Sequence, residues 1–287
     1  MNGNHAREIA ALLSFYQDAG VDALLNEHPV DRLSENPAAR IKASVTDGAP
    51  VVASQQQNAP APRAFSPPTR EPKPRVSLAP PPSPEAAEMA ARNAAAGAAT
   101  LGELRAILER FEGCALRATA TQLVFGDGNP QARAMFVGEA PGRDEDLAGL
   151  PFVGRSGKLL DRMMAAIGLD RRSAYIANIV PWRPPGNRTP TPQESAICLP
   201  FILRQIELVD PDVLVCLGAP SAQTLLKSRE GILKIRGRWF THRTGAREIP
   251  ALATLHPAYL LRQPLQKRLA WRDFLEIKKG LAQAARA

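Results

Sequence analysis

The chain has 287 residues, of which 45% are hydrophobic, and its formal net charge is +8. This is enough apolar material for the core of one large domain or two modest ones. No apolar run approaches the roughly 18 residues of a membrane-spanning helix, and the first residues lack the layout of a signal peptide. The three cysteines form no C-x-x-C pair, which excludes a disulfide framework and predicts a cytoplasmic protein.

Charge is distributed unevenly along the chain. Residues 1–110 contain 11 Lys and Arg against 12 Asp and Glu, whereas residues 111–287 contain 25 against 16. A basic globular half favours a polyanionic partner, with nucleic acid first, although a basic surface that serves only solubility has the same composition.

The first 84 residues divide into two predicted segments. Residues 1–35 are predicted to form a short helical segment, because apolar side chains recur at helical spacing on either side of Gly20. Residues 36–84 hold 12 of the 27 prolines among Ala, Ser and Gln, a composition that cannot bury enough apolar surface to fold. We therefore predict a flexible linker there and a folded domain over residues 85–287.

Two helices and a strand are predicted at the start of this domain. Ser83 and Pro84 suit a helix cap and a first helical residue, and an alanine-rich helix is expected to follow. A second helix is predicted over 101–111, where the apolar residues share one face. The apolar run at 122–125 predicts a strand.

Four buried strands alternate with helices in the rest of the chain. The strands are predicted at 134–137, 174–180, 212–218 and 249–255, and the helices at 157–167, 193–208, 220–227 and 265–285. This alternation predicts an α/β fold, a three-layer α/β/α arrangement with a central, mainly parallel, four-stranded sheet. The loops that follow parallel strands converge on one edge, where α/β proteins place their ligands.

Two of these loops carry candidates for acid–base or electrostatic chemistry. Glu139 follows the first of the four strands, in a loop rich in glycine. A carboxylate there can stabilise positive charge or orient a water, or it can simply cap the next turn. His256 ends the last strand, a position that no other histidine shares, so we favour a functional role. The acidic residues Asp144 and Glu145 are expected to face solvent.

An aromatic ring and an amide are candidates for recognising a base. Phe152 lies in the glycine-rich loop, where it either anchors the core or offers a stacking platform. Asn178 lies in an apolar strand, where it either bonds the neighbouring backbone or presents a donor and an acceptor to a base edge. The residues alone leave both alternatives open.

Other loop residues suit a nucleic-acid backbone. Residues 154–158 combine backbone N–H groups at a helix start with cationic side chains, without the spacing of a P-loop. Arg183 and Arg188 flank a loop stiffened by proline, a shape that suits phosphate contacts. The apolar run 259–261, beside Arg262, can act as a wedge into a base stack.

Seven motifs in order resemble one family. They are Gly-Glu-Ala-Pro-Gly at 138–142, Glu-Asp at 145–146 with Gly-x-Pro-Phe-Val-Gly at 149–154, Tyr-Ile-x-Asn at 175–178, Arg-Pro-Pro-x-Asn-Arg at 183–188, Leu-Gly at 217–218, Arg-Gly at 236–237 and His-Pro-Ala at 256–258. In order and spacing, from about residue 111 to 275, they closely resemble the family 4 uracil-DNA glycosylases. The first 110 residues lie outside the resemblance.

The resemblance implies an enzyme that flips deoxyuridine out of DNA, hydrolyses its N-glycosidic bond, releases uracil and leaves an abasic site, so initiating base excision repair. It implies that Glu139 assists attack at the sugar carbon and that His256 bonds the uracil carbonyl and stabilises the leaving anion. It also implies that Phe152 stacks on uracil, that Asn178 reads the uracil edge and that Ala140 belongs to the same pocket. The implied DNA contacts are Pro141, Gly142, Arg155, Ser156, Gly157, Lys158, Arg183, Asn187, Arg188, Arg236, Tyr259, Leu260, Leu261 and Arg262.

The chain departs from the resemblance at a cofactor. Family 4 members typically hold a [4Fe–4S] cluster on four cysteines. Two of those positions are Cys114 and Cys198, but the other two are Phe111 and Trp182, and aromatic carbon does not ligate iron. We therefore expect no cofactor and no metal, and hypothesise that the two rings pack into the space of a cluster.

The leading prediction is a monomeric, monofunctional uracil-DNA glycosylase, since no lysine stands out as a Schiff-base nucleophile. Its expected partners are uracil-containing DNA and the product uracil, with no membrane. One alternative is a non-catalytic or very slow binder of uracil-containing or abasic DNA. Another is a glycosylase for a different deaminated base, such as hypoxanthine.

Overall fold

The computed structural model describes residues 83–245 and 247–284. The predicted helical segment 1–35 and almost all of the predicted linker 36–84 lie outside the described residues. None of the helices in the described ranges combines the length and hydropathy that crossing a bilayer requires.

Ten α-helices occur in the described part of the chain. They are α1 (Pro84–Ala96), α2 (Leu101–Arg110), α3 (Leu116–Thr119), α4 (Arg143–Ala148), α5 (Arg155–Ala165), α6 (Pro192–Val209), α7 (Ala219–Leu226), α8 (Ile232–Ile235), α9 (Pro257–Arg262) and α10 (Lys267–Gln283). Several begin with a side-chain cap, and the cap at Ser83 was predicted from the sequence. The Ser83 hydroxyl accepts a hydrogen bond from the Ala86 N–H at the start of α1, and Thr191 forms a capping box with Glu194 at the start of α6.

Six strands form a single sheet within the described residues. They are β1 (Asp127–Gly128), β2 (Ala134–Gly138), β3 (Ala174–Asn178), β4 (Val213–Leu217), β5 (Trp239–Arg243) and β6 (Glu248–Thr254), in the spatial order β1-β3-β2-β4-β6-β5. The central four strands, β3-β2-β4-β6, are parallel and buried, which confirms the predicted four-stranded parallel core. The edge strands β1 and β5 are antiparallel to their neighbours and extend the sheet beyond that prediction.

Alternate residues of the buried strands face opposite layers of helices. On β2, Met135 and Val137 pack towards α1, α2, α6 and α7, whereas Ala134 and Phe136 pack towards α5 and α10. This is the period of two that a strand buried on both faces requires. The three-layer α/β/α prediction is therefore confirmed.

The predicted strand at 122–125 is wrong. The backbone N–H groups here form hydrogen bonds that are not part of a β-sheet. Those of Thr121 and Gln122 donate to the Asp146 carboxylate, and that of Val124 donates to the Pro181 carbonyl. Strand pairing begins only at Asp127, opposite Ile176, and lasts two residues.

Four short helices (α3, α4, α8 and α9) and the two edge strands, β1 and β5, were not predicted. α4 lies inside the glycine-rich loop and α9 follows His256 directly, with Pro257 at its first position. Both are six residues long, too short for a periodic pattern to show in the sequence. β5 has mostly exposed or half-buried side chains and therefore lacks the apolar run that marks the central strands.

Candidate active site

A cavity of about 620 Å³ opens at the carboxyl ends of the four parallel strands. Each strand contributes through its last residue or the loop behind it: Glu139 after β2, Asn178 at the end of β3, Gly218 after β4 and His256 after β6. The sheet thus brings together groups that are as much as 117 positions apart, as the predicted parallel topology requires.

Asn178 presents an unpaired acceptor to this cavity. Its side chain is 4% exposed, and its Oδ1 has no hydrogen-bond partner among the described residues. A Cβ at Gly138 would overlap this oxygen, so the glycine keeps the space in front of the amide open. An unpaired buried acceptor costs about 1–3 kcal/mol, a cost that a ligand with a matching donor can remove.

Phe152 forms the opposite wall of the same space. Its ring lies 5.5 Å from the His256 ring, centroid to centroid, at an interplanar angle of 31°. Its backbone is left-handed, with φ of +55°, a conformation that costs a non-glycine residue about 1–3 kcal/mol. The surrounding contacts therefore have to hold the residue there.

The acidic side chains of α4 supply some of those contacts. The Glu145 carboxylate accepts hydrogen bonds from the N–H groups of Gly142, Val153 and Gly154, at 3.0–3.1 Å. The expectation that Glu145 faces solvent is wrong, because these three backbone donors draw it into the loop. Asp146 is buried as well, whereas Asp144 is exposed as expected.

Glu139 lies at the cavity, and one of its carboxylate oxygens is free to accept a hydrogen bond from a ligand. Its Oε1 is buried and has no hydrogen-bond partner within the described ranges. Burial raises the pKa of this carboxyl above its ordinary value, and the Thr189 hydroxyl opposes that shift. A carboxylate in this state is a good acceptor for a water or a stabiliser of nearby positive charge.

His256 is held as a neutral donor. Its Nδ1 accepts a hydrogen bond of 3.1 Å from the Ala258 N–H, so the neutral ring carries its proton on Nε2. Burial, with a smaller contribution from the Arg262 charge, lowers the pKa of His256 to about 4. At neutral pH the ring therefore offers an N–H and no charge.

Part of the cavity wall was not predicted. Thr189, Pro190 and Ile232 line it, as do the residues that open α7, Gly218 to Pro220. Gly218 has a φ of +90°, and a Cβ there would lie 3.0 Å from the Cβ of His256. Gly218, which directly follows a buried strand, is the sequence feature from which this part of the wall could have been predicted.

Most of the predicted DNA contacts lie at the cavity mouth. The lining contains Pro141, Gly142, Ser156, Asn187, Arg188, Tyr259 and Arg262. It also contains Ala140, which the resemblance assigns to the base pocket. Arg155 and Lys158 are exposed at the start of α5 beside it. Two arginines are partly engaged: Arg183 donates to Asn187 Oδ1 at 2.7 Å, and Arg188 forms a two-point ion pair with Glu194.

Three of the predicted contacts need correction. Leu260 is 1% exposed and packs with Leu255 and Ala270, because α9 turns it inwards. Gly157 is buried against the Phe152 carbonyl, where a Cβ would not fit. The Arg236 guanidinium is bonded to the buried Asp273 carboxylate and to the Leu269 carbonyl, which engages it within the protein.

The residues present do not fit the iron–sulfur cluster that the resemblance implies. Cys114 and Cys198 are buried with their Sγ atoms 3.9 Å apart, and the Cys198 thiol donates to Cys114, which lowers the pKa of Cys114. Phe111 and Trp182 are buried, and the Phe111 ring meets Phe201 edge to face at 5.0 Å. Among the described residues, no group of three or more His, Cys, Asp or Glu is placed to hold a metal.

Comparisons with known proteins give one consistent result. The family model described as the uracil DNA glycosylase superfamily matches residues 125–275. The chain is 44% identical over 156 residues to a type-4 uracil-DNA glycosylase of Thermotoga maritima, covering 54% of this chain and 80% of that protein. It is 42% identical over 168 residues to the type-4 enzyme of Archaeoglobus fulgidus, covering 57% and 84%. The match to the type-4 enzyme of Saccharolobus solfataricus is 38% identical over 180 residues, covering 61% and 83%.

Proposed function

Because the chain belongs to the uracil-DNA glycosylase superfamily, and to its type-4 group, we propose that it is a uracil-DNA glycosylase. It hydrolyses the N-glycosidic bond of deoxyuridine in DNA, releasing uracil and leaving an abasic site for base excision repair. The observation that carries this proposal is the unpaired amide oxygen of Asn178, buried in a cavity that Glu139, Phe152 and His256 share.

Recognition of uracil follows from the Asn178 amide. Uracil N3–H can donate to Oδ1 while its O4 accepts from the amide NH₂, and the Phe152 ring supports the plane of the base. Cytosine presents the reverse pattern, an acceptor at N3 and a donor at N4, so it leaves Oδ1 unpaired. A buried polar group left unpaired in this way is an effective basis for discrimination.

Entry to the cavity requires the base to leave the DNA stack. Unstacking and unpairing cost a few kcal/mol. Exposed cations at the cavity mouth, including Arg155, Lys158 and Arg262, can hold the phosphates on either side, and the exposed Leu261 can enter the gap.

Bond cleavage uses the opposite charges that develop on sugar and base. As the bond between C1′ and N1 breaks, the sugar becomes cationic and the base anionic. The Glu139 carboxylate stabilises the sugar and can accept a proton from the water whose oxygen bonds to C1′. The His256 Nε2–H donates to the uracil O2, where the negative charge accumulates.

The lining of the cavity supports a monofunctional enzyme. No lysine lines it within the described residues, so an amine to form a Schiff base with the abasic sugar is lacking there. The proposed products are free uracil and an unbroken strand. We propose that the protein acts as a monomer, because one chain supplies Glu139, Phe152, Asn178 and His256. The three free thiols support a cytoplasmic location.

The aromatic core is part of the proposal. We infer that Phe111 and Trp182 replace metal ligation with hydrophobic packing beside Cys114 and Cys198, so that the enzyme works without a cluster. The edge-to-face contact of Phe111 with Phe201 supports this reading.

Release of uracil from a labelled oligonucleotide tests the function. Asn178→Ala is expected to lower kcat/KM by about 10–1,000-fold, because it removes two hydrogen bonds to the base. Asn93→Ala, on the exposed face of α1, is the matched control and should leave the rate unchanged. Wild-type protein that binds uracil-containing DNA without releasing uracil would instead be a binder, and release of hypoxanthine alone would indicate another substrate.

A further inference from the structure

Arg171 lies outside the cavity but reaches its wall. It belongs to the connection between α5 and β3, which precedes the amino end of β3, whereas Asn178 lies at the carboxyl end of that strand. Its guanidinium donates to two successive carbonyl oxygens, those of Pro151 (3.1 Å) and Phe152. A side chain from the far end of the sheet thus bonds the loop that carries the base-stacking ring.

Two carboxylates hold this guanidinium in place. Asp127 of β1 accepts from it at 2.6 Å and Asp161 of α5 accepts at 2.9 Å. The planar guanidinium has five N–H donors in a fixed arrangement, so bonds to two carboxylates also set the direction of the remaining N–H groups. Those groups point at the Phe152 loop.

The Phe152 carbonyl is crowded on its other side. α5 passes directly against it at Gly157, where a Cβ would overlap the oxygen. A buried carbonyl needs a donor, and Arg171 supplies one that carries charge. Without it, the left-handed backbone of Phe152 would lose a bond that opposes its relaxation to an ordinary conformation.

Relaxation of that backbone would move the ring. The Phe152 ring lies 5.5 Å from the His256 ring, and it borders Gly138 together with the Asn178 oxygen. A shift of the ring therefore changes the space between the two side chains that bond the base.

We propose that Arg171 is a positioning residue for the base pocket, acting through the Phe152 carbonyl. The proposal rests on the proposed glycosylase function, because uracil is the base that the pocket would hold. Arg171 does not line the cavity, so its loss should affect affinity for the base through the Phe152 loop and leave affinity for the DNA backbone intact.

The test compares Arg171→Ala with Arg172→Ala. Arg172 is adjacent, and its side chain is 94% exposed, so it is a matched control. Arg171→Ala should raise the dissociation constant of free uracil, measured by calorimetry, and lower kcat/KM by about 10–100-fold, as expected for a shift of about 1 Å. Its dissociation constant for abasic DNA should stay within about twofold of wild type, and Arg171→Lys should recover part of the uracil affinity.

Asp161→Ala separates positioning from general stability. It removes one of the two carboxylates that orient Arg171, while Asp127 and both carbonyl bonds remain, so it should lower Tm and cost less uracil affinity than Arg171→Ala. Unchanged uracil affinity in folded Arg171→Ala would overturn the proposal, as would an equal loss in Asp161→Ala. If the wild type binds uracil but does not release it from DNA, the glycosylase function fails while the calorimetric comparison still decides the role of Arg171. Wild-type protein that binds no uracil overturns both.

Discussion

Glu139 and His256 face the same cavity, and burial favours the uncharged form of each. Burial raises the pKa of the carboxyl and lowers that of the imidazole. The proposed chemistry needs His256 neutral, which burial assists, and Glu139 charged, which burial opposes. The two residues therefore respond differently to pH and to substitution.

The loss of activity at low pH should result from protonation of Glu139. As pH falls through its raised pKa the carboxylate is protonated and kcat/KM should drop, while His256 stays neutral down to about pH 4. Measurement of kcat/KM from pH 4 to 9 checks this. Glu139→Gln should lower the plateau and remove that drop, and a drop that persists unchanged in the variant would assign it to another group.

Glu139→Gln should also stabilise the protein at neutral pH. Because the folded pKa lies above the unfolded one, the carboxyl contributes stability that is fully present below its unfolded pKa and lost as pH rises through its folded pKa. The variant should therefore gain Tm relative to wild type as pH rises through that window. Equal differences in Tm at pH 4 and pH 7 would contradict this.

At the scale of elements, the helix α9 determines which side chains of the apolar run at 259–261 are buried and which are exposed. The run is helical, so its residues point in different directions: Leu260 is buried in the core, while Leu261 is 38% exposed. The sequence supports a wedge, but only the helix decides which leucine is free to act as one.

Alanine substitutions in α9 should separate these roles. Leu261→Ala should lower kcat/KM on double-stranded DNA by about tenfold and have less effect on single strands, where fewer bases need unstacking. Leu260→Ala should instead lower the free energy of unfolding by about 2–5 kcal/mol. Rates on both substrates and chemical denaturation check the pair, and a larger rate effect from Leu260 at full folding would reverse the assignment.

For the whole molecule, the fold could be predicted from the sequence where the strands are buried on both faces. The four central strands are apolar on both faces, and their parallel order brought Glu139, Asn178 and His256 to one edge as predicted. Features that depend on long-range partners were missed. β5 is half exposed, and the bonds of Arg171 join residues up to 44 positions apart, so local patterns do not reveal them.

The aromatic core makes a prediction about the composition of the whole protein. Anaerobically purified protein should contain close to no iron, and chelators should leave uracil release unchanged, because Phe111 and Trp182 occupy positions where thiolates would be needed. Metal analysis per chain checks this. About four irons per chain, or loss of activity on chelation, would contradict the cluster-free reading.

The buried Asp273 is synthesised after two residues that donate hydrogen bonds to its carboxylate. It accepts hydrogen bonds from Arg236 and from Thr254, which lies two residues before His256. Because a chain leaves the ribosome from its amino end, both donors emerge before their acceptor. Thr254, at the end of the strand that precedes His256, therefore gains this acceptor only after residue 273 has emerged, and a chain released before that residue lacks the acceptor that the two donors share.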